Sequence, residues 1–277
     1  MSGSMNGGAQ IQGNTAAAGS GAAVAEPGGE AIRAEGITKH FGSIVALNGV
    51  SIHVRRGEIL GILGDNGAGK STLIKILTGF HQPTSGRLYV HGNEVSLTSV
   101  DHARSLGIEC VYQDLALINA LSVYHNMFLN RELRKGPFGL LDHAEMRRRA
   151  AAALEDIGVG VPSVDVEVAS LSGGQRQAIA VARAVYSKAR ILLLDEPLAA
   201  MGAREAGLII DLIERLRSRG DIAIAMIAHN YAQTLDICDR VVLVQHGEIT
   251  FESHSAETSV EELLEIVRRE YRAARRA

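Results

Sequence analysis

A stretch of eight residues, Gly64-Asp65-Asn66-Gly67-Ala68-Gly69-Lys70-Ser71, constrains the fold of this chain more than any other feature. It follows the apolar run Glu58 to Leu63 and leads into a helical start, Ser71-Thr72-Leu73. A glycine-rich turn between a strand and a helix wraps successive backbone N–H groups around phosphate oxygens, and the helix adds its positive N-terminal end. In this P-loop pattern Lys70 reaches the β- and γ-phosphates and the Ser71 hydroxyl binds Mg²⁺, with Thr72 closing the cradle. The motif alone says nucleoside-triphosphate binder, and no more.

A second run, Ile191-Leu192-Leu193-Leu194-Asp195-Glu196, is an apolar strand that ends in two carboxylates. Buried parallel strands deliver their C-terminal residues to the ligand crevice, where Asp195 can join the Mg²⁺ shell. Glu196 is then free to polarise an attacking water as general base. Two acids at a solvated strand end are the plain structural alternative, disfavoured by the P-loop upstream.

Between the two lies Leu171-Ser172-Gly173-Gly174-Gln175, followed by a helical run through Ala184. This string, placed shortly before the acidic strand, resembles the signature of the ABC (ATP-binding cassette) ATPases. A glycine turn at a helix start again offers N–H groups, here with the Ser172 hydroxyl, to an anion. The resemblance covers roughly residues 31 to 252 and implies an α/β fold: a P-loop NTPase (RecA-like) core, an antiparallel β subdomain and an inserted α-helical subdomain.

Other positions match the family in order. Phe41, in Lys39-His40-Phe41-Gly42, matches the aromatic that stacks on adenine; Gln113, in Val111-Tyr112-Gln113-Asp114, matches the Q-loop glutamine that touches Mg²⁺ or water. His229 follows the strand Ile222 to Ile227 as the switch histidine does, and the other nine of the ten histidines are read as ordinary residues. Leu198 stands where Thr or Ser is usual, and Gly202 replaces the common D-loop aspartate, the residue through which the family's two sites communicate.

The resemblance further implies ATP as substrate with Mg²⁺, and a head-to-tail homodimer in which Ser172, Gly173, Gly174 and Gln175 of one copy cover the nucleotide of the other. The strings Val111 to Leu117 and Met127-Phe128-Leu129-Asn130-Arg131-Glu132 are similar to those of monosaccharide importers of the ribose, xylose and fructose type, single-cassette form. Expected partners are therefore membrane permease subunits and, indirectly, a sugar-binding protein, with the chain peripheral at the cytoplasmic face of the inner membrane. A soluble ABC ATPase acting on nucleic acid or ribosomes, and a regulator that binds without hydrolysing, are the alternatives.

Composition narrows these. A formal net charge of −3 gives no electrostatic reason to expect nucleic acid. Cys110 and Cys238 fit neither a zinc site nor a disulfide framework and read as reduced, buried thiols. No apolar run approaches the roughly 18 residues of a membrane span.

Residues 1 to about 30 are rich in Gly, Ala and Ser and are expected to be a disordered tail, with no basic and apolar leader pattern. The cassette is expected over 31 to 255, with helices across about 115 to 185 that include a helical pattern from Val123 to Ile157 capped at Asp142. A surface helix over 256 to 277 ends the chain.

Overall fold

The computed structural model describes residues 29–274, so nearly all of the expected N-terminal tail lies outside the described residues. Strands β1 (Glu30–Phe41) and β2 (Ile44–Arg55) form an antiparallel hairpin. Next come β3 (Ile59–Leu63) and helix α1 (Lys70–Leu77), then β4 (Ser85–Val90) and β5 (Asn93–Val95). Helix α2 (Val100–Ser105) leads to β6 (Ile108–Val111). The chain then enters α3 (Val123–Met127), the two-residue strands β7 (Arg134–Lys135) and β8 (Leu140–Leu141), α4 (His143–Asp156) and α5 (Gly173–Tyr186). It returns through β9 (Ile191–Asp195), α6 (Ala203–Ser218), β10 (Ala223–Ile227), α7 (Tyr231–Ile237), β11 (Arg240–Gln245), β12 (Glu248–His254) and α8 (Val260–Ala274).

Two sheets result. One is antiparallel, in the order β2-β1-β4-β5; the other runs β12-β11-β3-β10-β9-β6 and is parallel except for the β11–β12 pair. Both faces of the second sheet are covered, and the period of two along each strand divides its residues between two cores. Ile59, Leu63, Leu192, Leu194, Ile224 and Met226 face the core shared with α3, α4, α5 and α6. Leu60, Ile62, Leu193, Ala225 and Ile227 face the core shared with α1 and the antiparallel sheet.

The segment from Val123 to Ile157 departs from expectation. Instead of one helical stretch it holds two helices separated by the β7–β8 hairpin. Asn130 adopts φ 61°, and Gly136 and Gly139 around Pro137 adopt φ 70° and 62°. These are turn conformations that an α-helix cannot pass through, and proline lacks the N–H a helix needs there. Asp142 caps α4 as expected, its carboxylate accepting from the Glu145 N–H at 3.2 Å. Cys238 is buried, whereas Cys110 is only partly so; both thiols are free, and burial pushes both up.

One buried ion pair ties the sheets together. Arg240 on β11 pairs with Glu58, just before β3, and also with Glu252 of β12 at 2.9 Å. Its guanidinium donates to the His53 carbonyl of β2 at 2.5 Å, so a single side chain ties three strands and the start of a fourth. Glu58→Ala leaves that cation buried without its main partner and is expected to cost about 3–5 kcal/mol. Denaturant unfolding measures this; a loss below about 1 kcal/mol would show that Glu252 and the His53 carbonyl suffice.

Candidate active site

Four neighbouring strands end at the same level. Register pairs Ile227 with both Ile62 and Asp195, and Leu194 with Val111. The residues just beyond those ends therefore lie side by side: Gly64 after β3, His229 after β10, Asp195 and Glu196 at the end of β9, and Gln113 after β6. This is the crevice at the carboxyl ends of a parallel sheet, where α/β proteins bind ligands.

The P-loop is shaped by close backbone approach. Gly64 adopts φ 142°, and a Cβ there would meet the Val244 carbonyl oxygen at 2.1 Å. At Gly69, with φ 109°, a Cβ would lie 2.6 Å from the Ala46 oxygen, so the loop is pinned against the ends of β11 and β2. Asp65, Asn66 and Gly67 are exposed and Ala68 is buried. Ser71 is exposed on the first turn of α1, with Thr72 half-buried beside it.

Lys70 is buried, and its ammonium donates to the carbonyls of Gly64 at 2.5 Å and Asp65 at 2.8 Å. Burial pushes its pKa below the ordinary lysine value, while Glu196, Asp65 and Asp195 pull the other way. The ammonium thus closes the loop on itself, and a phosphate offers it stronger acceptors than two neutral carbonyls.

Asp195 is half-buried, and its Oδ1 has no hydrogen-bond partner. Burial, and then the neighbouring Glu196, raise its pKa. An orphaned carboxylate oxygen at a strand end suits a hard cation. Among the described residues no group of three or more His, Cys, Asp or Glu can hold an ion alone.

Glu196 follows in the left-handed conformation, φ 53°, with its N–H on the Ile227 carbonyl at 3.2 Å. That strained turn aims the carboxylate at His229, whose Nε2 lies 2.5 Å from Oε1. The carboxylate is only one-fifth exposed, so water can reach one side of it while the imidazole fixes the other. The sequence pattern places both residues in the site; their direct contact follows from the register of β9 and β10. Gln113 is exposed and shares a groove with Glu196 and Gly173.

Ser172 caps α5 in a reciprocal box: its hydroxyl accepts from the Gln175 N–H at 3.3 Å, and its own N–H donates to Gln175 Oε1 at 3.1 Å. The hydroxyl is exposed and lines a groove with Gln175, Gly174 and Glu205, not with the P-loop. Phe41, 42% exposed at the end of β1, meets His81 edge-on at 5.3 Å, with the Lys39 ammonium 5.0 Å from its ring centre. His81 carries no motif, so this aromatic platform is only half legible in the sequence. Gly202 sits at the N-cap of α6 with φ −70°, and nothing lies within 4 Å of where its Cβ would be. The structure therefore has room for the aspartate that is usual at this position.

Comparison with known proteins gives the family. The ABC transporter family matches residues 47–199. A xylose/arabinose import ATP-binding protein of Sulfolobus acidocaldarius is 44% identical over 231 residues, 83% of this chain and 91% of that protein. A fructose import ATP-binding protein of Rhizobium meliloti is 40% identical, over 78% of this chain and 85% of its own length. A ribose import ATP-binding protein of Chromobacterium violaceum is also 40% identical, but the match covers 84% of this chain and only 46% of that protein.

Among solved structures, a nucleotide-free ATP-binding cassette from an ABC transporter superposes with a TM-score of 0.72 at 27% identity, covering 86% of this chain and 95% of that one. A dimeric bacterial ABC transporter cassette gives 0.68 at 25% identity, covering 81% and 98%. With the P-loop, the acidic strand end and the histidine contact in one crevice, the chain belongs to the ABC transporter family as one of its ATP-hydrolysing cassettes.

Proposed function

We propose that the chain is the motor subunit of a membrane importer for a monosaccharide, working as a head-to-tail pair bound to permease subunits at the cytoplasmic face of the membrane. The observation that carries the reading is the placement of the two anion cradles. No P-loop residue lines the groove that holds Ser172, so in this reading a second copy supplies the signature to each nucleotide. The pentose and hexose import relatives support the solute class, and a sugar-binding protein delivers the solute to the permease. Among the described residues no helix is long and apolar enough to cross a membrane, which leaves the passage itself to other subunits.

In this scheme the P-loop amides from Gly64 to Gly69, with Lys70, hold the β- and γ-phosphates, and Phe41 stacks on adenine. Ser71, Asp195 and Gln113 would hold Mg²⁺, which supplies charge neutralisation on the phosphate oxygens when bound. Glu196 takes a proton from the attacking water as its oxygen bonds to the γ-phosphorus. The bond to the β-phosphate oxygen breaks and its electron pair leaves with ADP. His229, with Nε2 protonated, holds the Glu196 carboxylate in place and can turn the same N–H toward the γ-phosphate.

The test is capture from solubilised membranes followed by reconstitution. The tagged chain is expected to bring down a multi-span membrane protein. Vesicles holding that complex and a sugar-binding protein are expected to accumulate labelled xylose, ribose or fructose only with ATP. Capture of ribosomes or nucleic acid in place of a membrane protein would overturn the reading.

A further inference from the structure

The segment that follows Gln113 is held by a side chain from another element. Arg183, near the end of α5, donates through Nη2 to the Leu115 carbonyl at 2.9 Å and through Nη1 to the Ala116 carbonyl at 3.0 Å. Between those two oxygens the chain turns through Ala116 at φ 49°, a left-handed conformation that L side chains disfavour and that persists only where surroundings enforce it. A planar guanidinium fork fits two successive carbonyls in a way that a single ammonium cannot.

The next few residues are fixed as well. Asn126, fully buried on α3, accepts from the Ile118 N–H at 2.8 Å and donates to the carbonyls of Ile118, Leu121 and Ser122 at 3.0 to 3.2 Å. Backbone bonds from Val168 to Leu121 and from Ala169 to Asn119, both 3.0 Å, tie the same stretch to the approach of α5. Residues from Leu115 onward are thus fastened to the helices, while Gln113 and Asp114 bridge to β6.

Ser172 caps the other end of the helix that carries Arg183. The eleven-residue separation corresponds to about 16 Å of rigid rod. We propose that Arg183 is a positioning residue for hydrolysis: it couples the signature helix to the segment after Gln113, so that an anion seated at Ser172 sets where Gln113 lies. A link then runs from the nucleotide of one copy, through α5 of its partner, to the partner's own catalytic groove. The inference rests on the proposed role of Gln113 and extends it to a residue that touches neither nucleotide nor water.

A double-mutant cycle on the full chain tests it. Gln113→Ala is expected to lower kcat about 10- to 100-fold, and Arg183→Ala by a similar factor with KM for ATP within about twofold, as loss of positioning predicts. In the Gln113→Ala background Arg183→Ala is expected to cost less than about twofold more, because both act through the same group. Equal factors in both backgrounds would overturn the proposal, and so would an unchanged kcat in Arg183→Ala. If Arg183→Ala does not fold, Arg183→Lys, which keeps the charge but holds one carbonyl, takes its place in the cycle: a smaller factor in the Gln113→Ala background supports the coupling, and an equal one overturns it.

A nitroxide at Asn119→Cys separates the latch from the role of Gln113, since the native Cys110 and Cys238 thiols are shifted up by burial and react slowly. ATP is expected to change the label's mobility in the otherwise wild-type chain and not in Arg183→Ala. If Gln113→Ala hydrolyses normally while the label still responds only with Arg183 present, the role of Gln113 fails and the latch stands. A label that responds equally with and without Arg183 removes the latch.

Discussion

Glu196→Gln is expected to lower maximal ATP hydrolysis about 10²- to 10⁴-fold while leaving ATP affinity within about twofold, the signature of a lost general base. The substitution is isosteric, and its amide oxygen can still accept from His229, so the 2.5 Å contact and the turn at φ 53° need not move. What disappears is the capacity to take a proton from water. With hydrolysis blocked, ATP stays between the two copies, and a nucleotide-dependent dimer is expected to accumulate in gel filtration. His229→Ala separates orientation from basicity: the carboxylate remains but loses the partner that fixes its rotamer, so an intermediate rate is expected. If Glu196→Gln turned over at the wild-type rate, the base would lie elsewhere in the crevice, and the strained turn at Glu196 would need another explanation.

How much of the fold and site is legible in the sequence depends on what each feature leaves there. Strand ends are readable because a buried parallel strand is a short apolar run and its first polar residue marks the rim; Leu194-Asp195-Glu196 and Ile227-Ala228-His229 both carry that mark. The contact between Glu196 and His229 is not readable, since it depends on the register that sets Ile227 beside Asp195.

The β7–β8 hairpin is outweighed by the helical periodicity on either side, although Gly136, Pro137 and Gly139 are local turn signals. Arg183 leaves the weakest trace. Its acceptors are backbone carbonyls, which any residue provides, and an arginine seven residues after Arg176 reads equally well as part of a solvated helix face.

A site shared between two copies, as proposed, makes a sharper demand than any single substitution. Lys70→Ala removes the ammonium that closes the P-loop, and Ser172→Arg fills the capping position of α5 with a bulky cation in place of a hydroxyl. Each variant alone is expected to lose hydrolysis by about 10²-fold or more, because in a homodimer both composite sites carry the defect.

Mixing them distributes the defects differently. In a mixed pair, one site combines Lys70→Ala with Ser172→Arg and is dead twice over. The other combines the intact P-loop of one copy with the intact signature of its partner. Random pairing makes half of all dimers mixed and leaves one of two sites whole in each, so roughly a quarter of the wild-type rate should return.

Recovery of that size distinguishes sites built across two copies from sites built within one, where the mixture stays as inactive as its parts. Rate against mixing ratio adds a second check, since the recovered activity must peak at equal proportions and fall to zero at either end. A flat response would place Ser172 and Lys70 in the same copy's site, and the groove around Ser172, which no P-loop residue lines, would then have to close onto the P-loop when ATP binds.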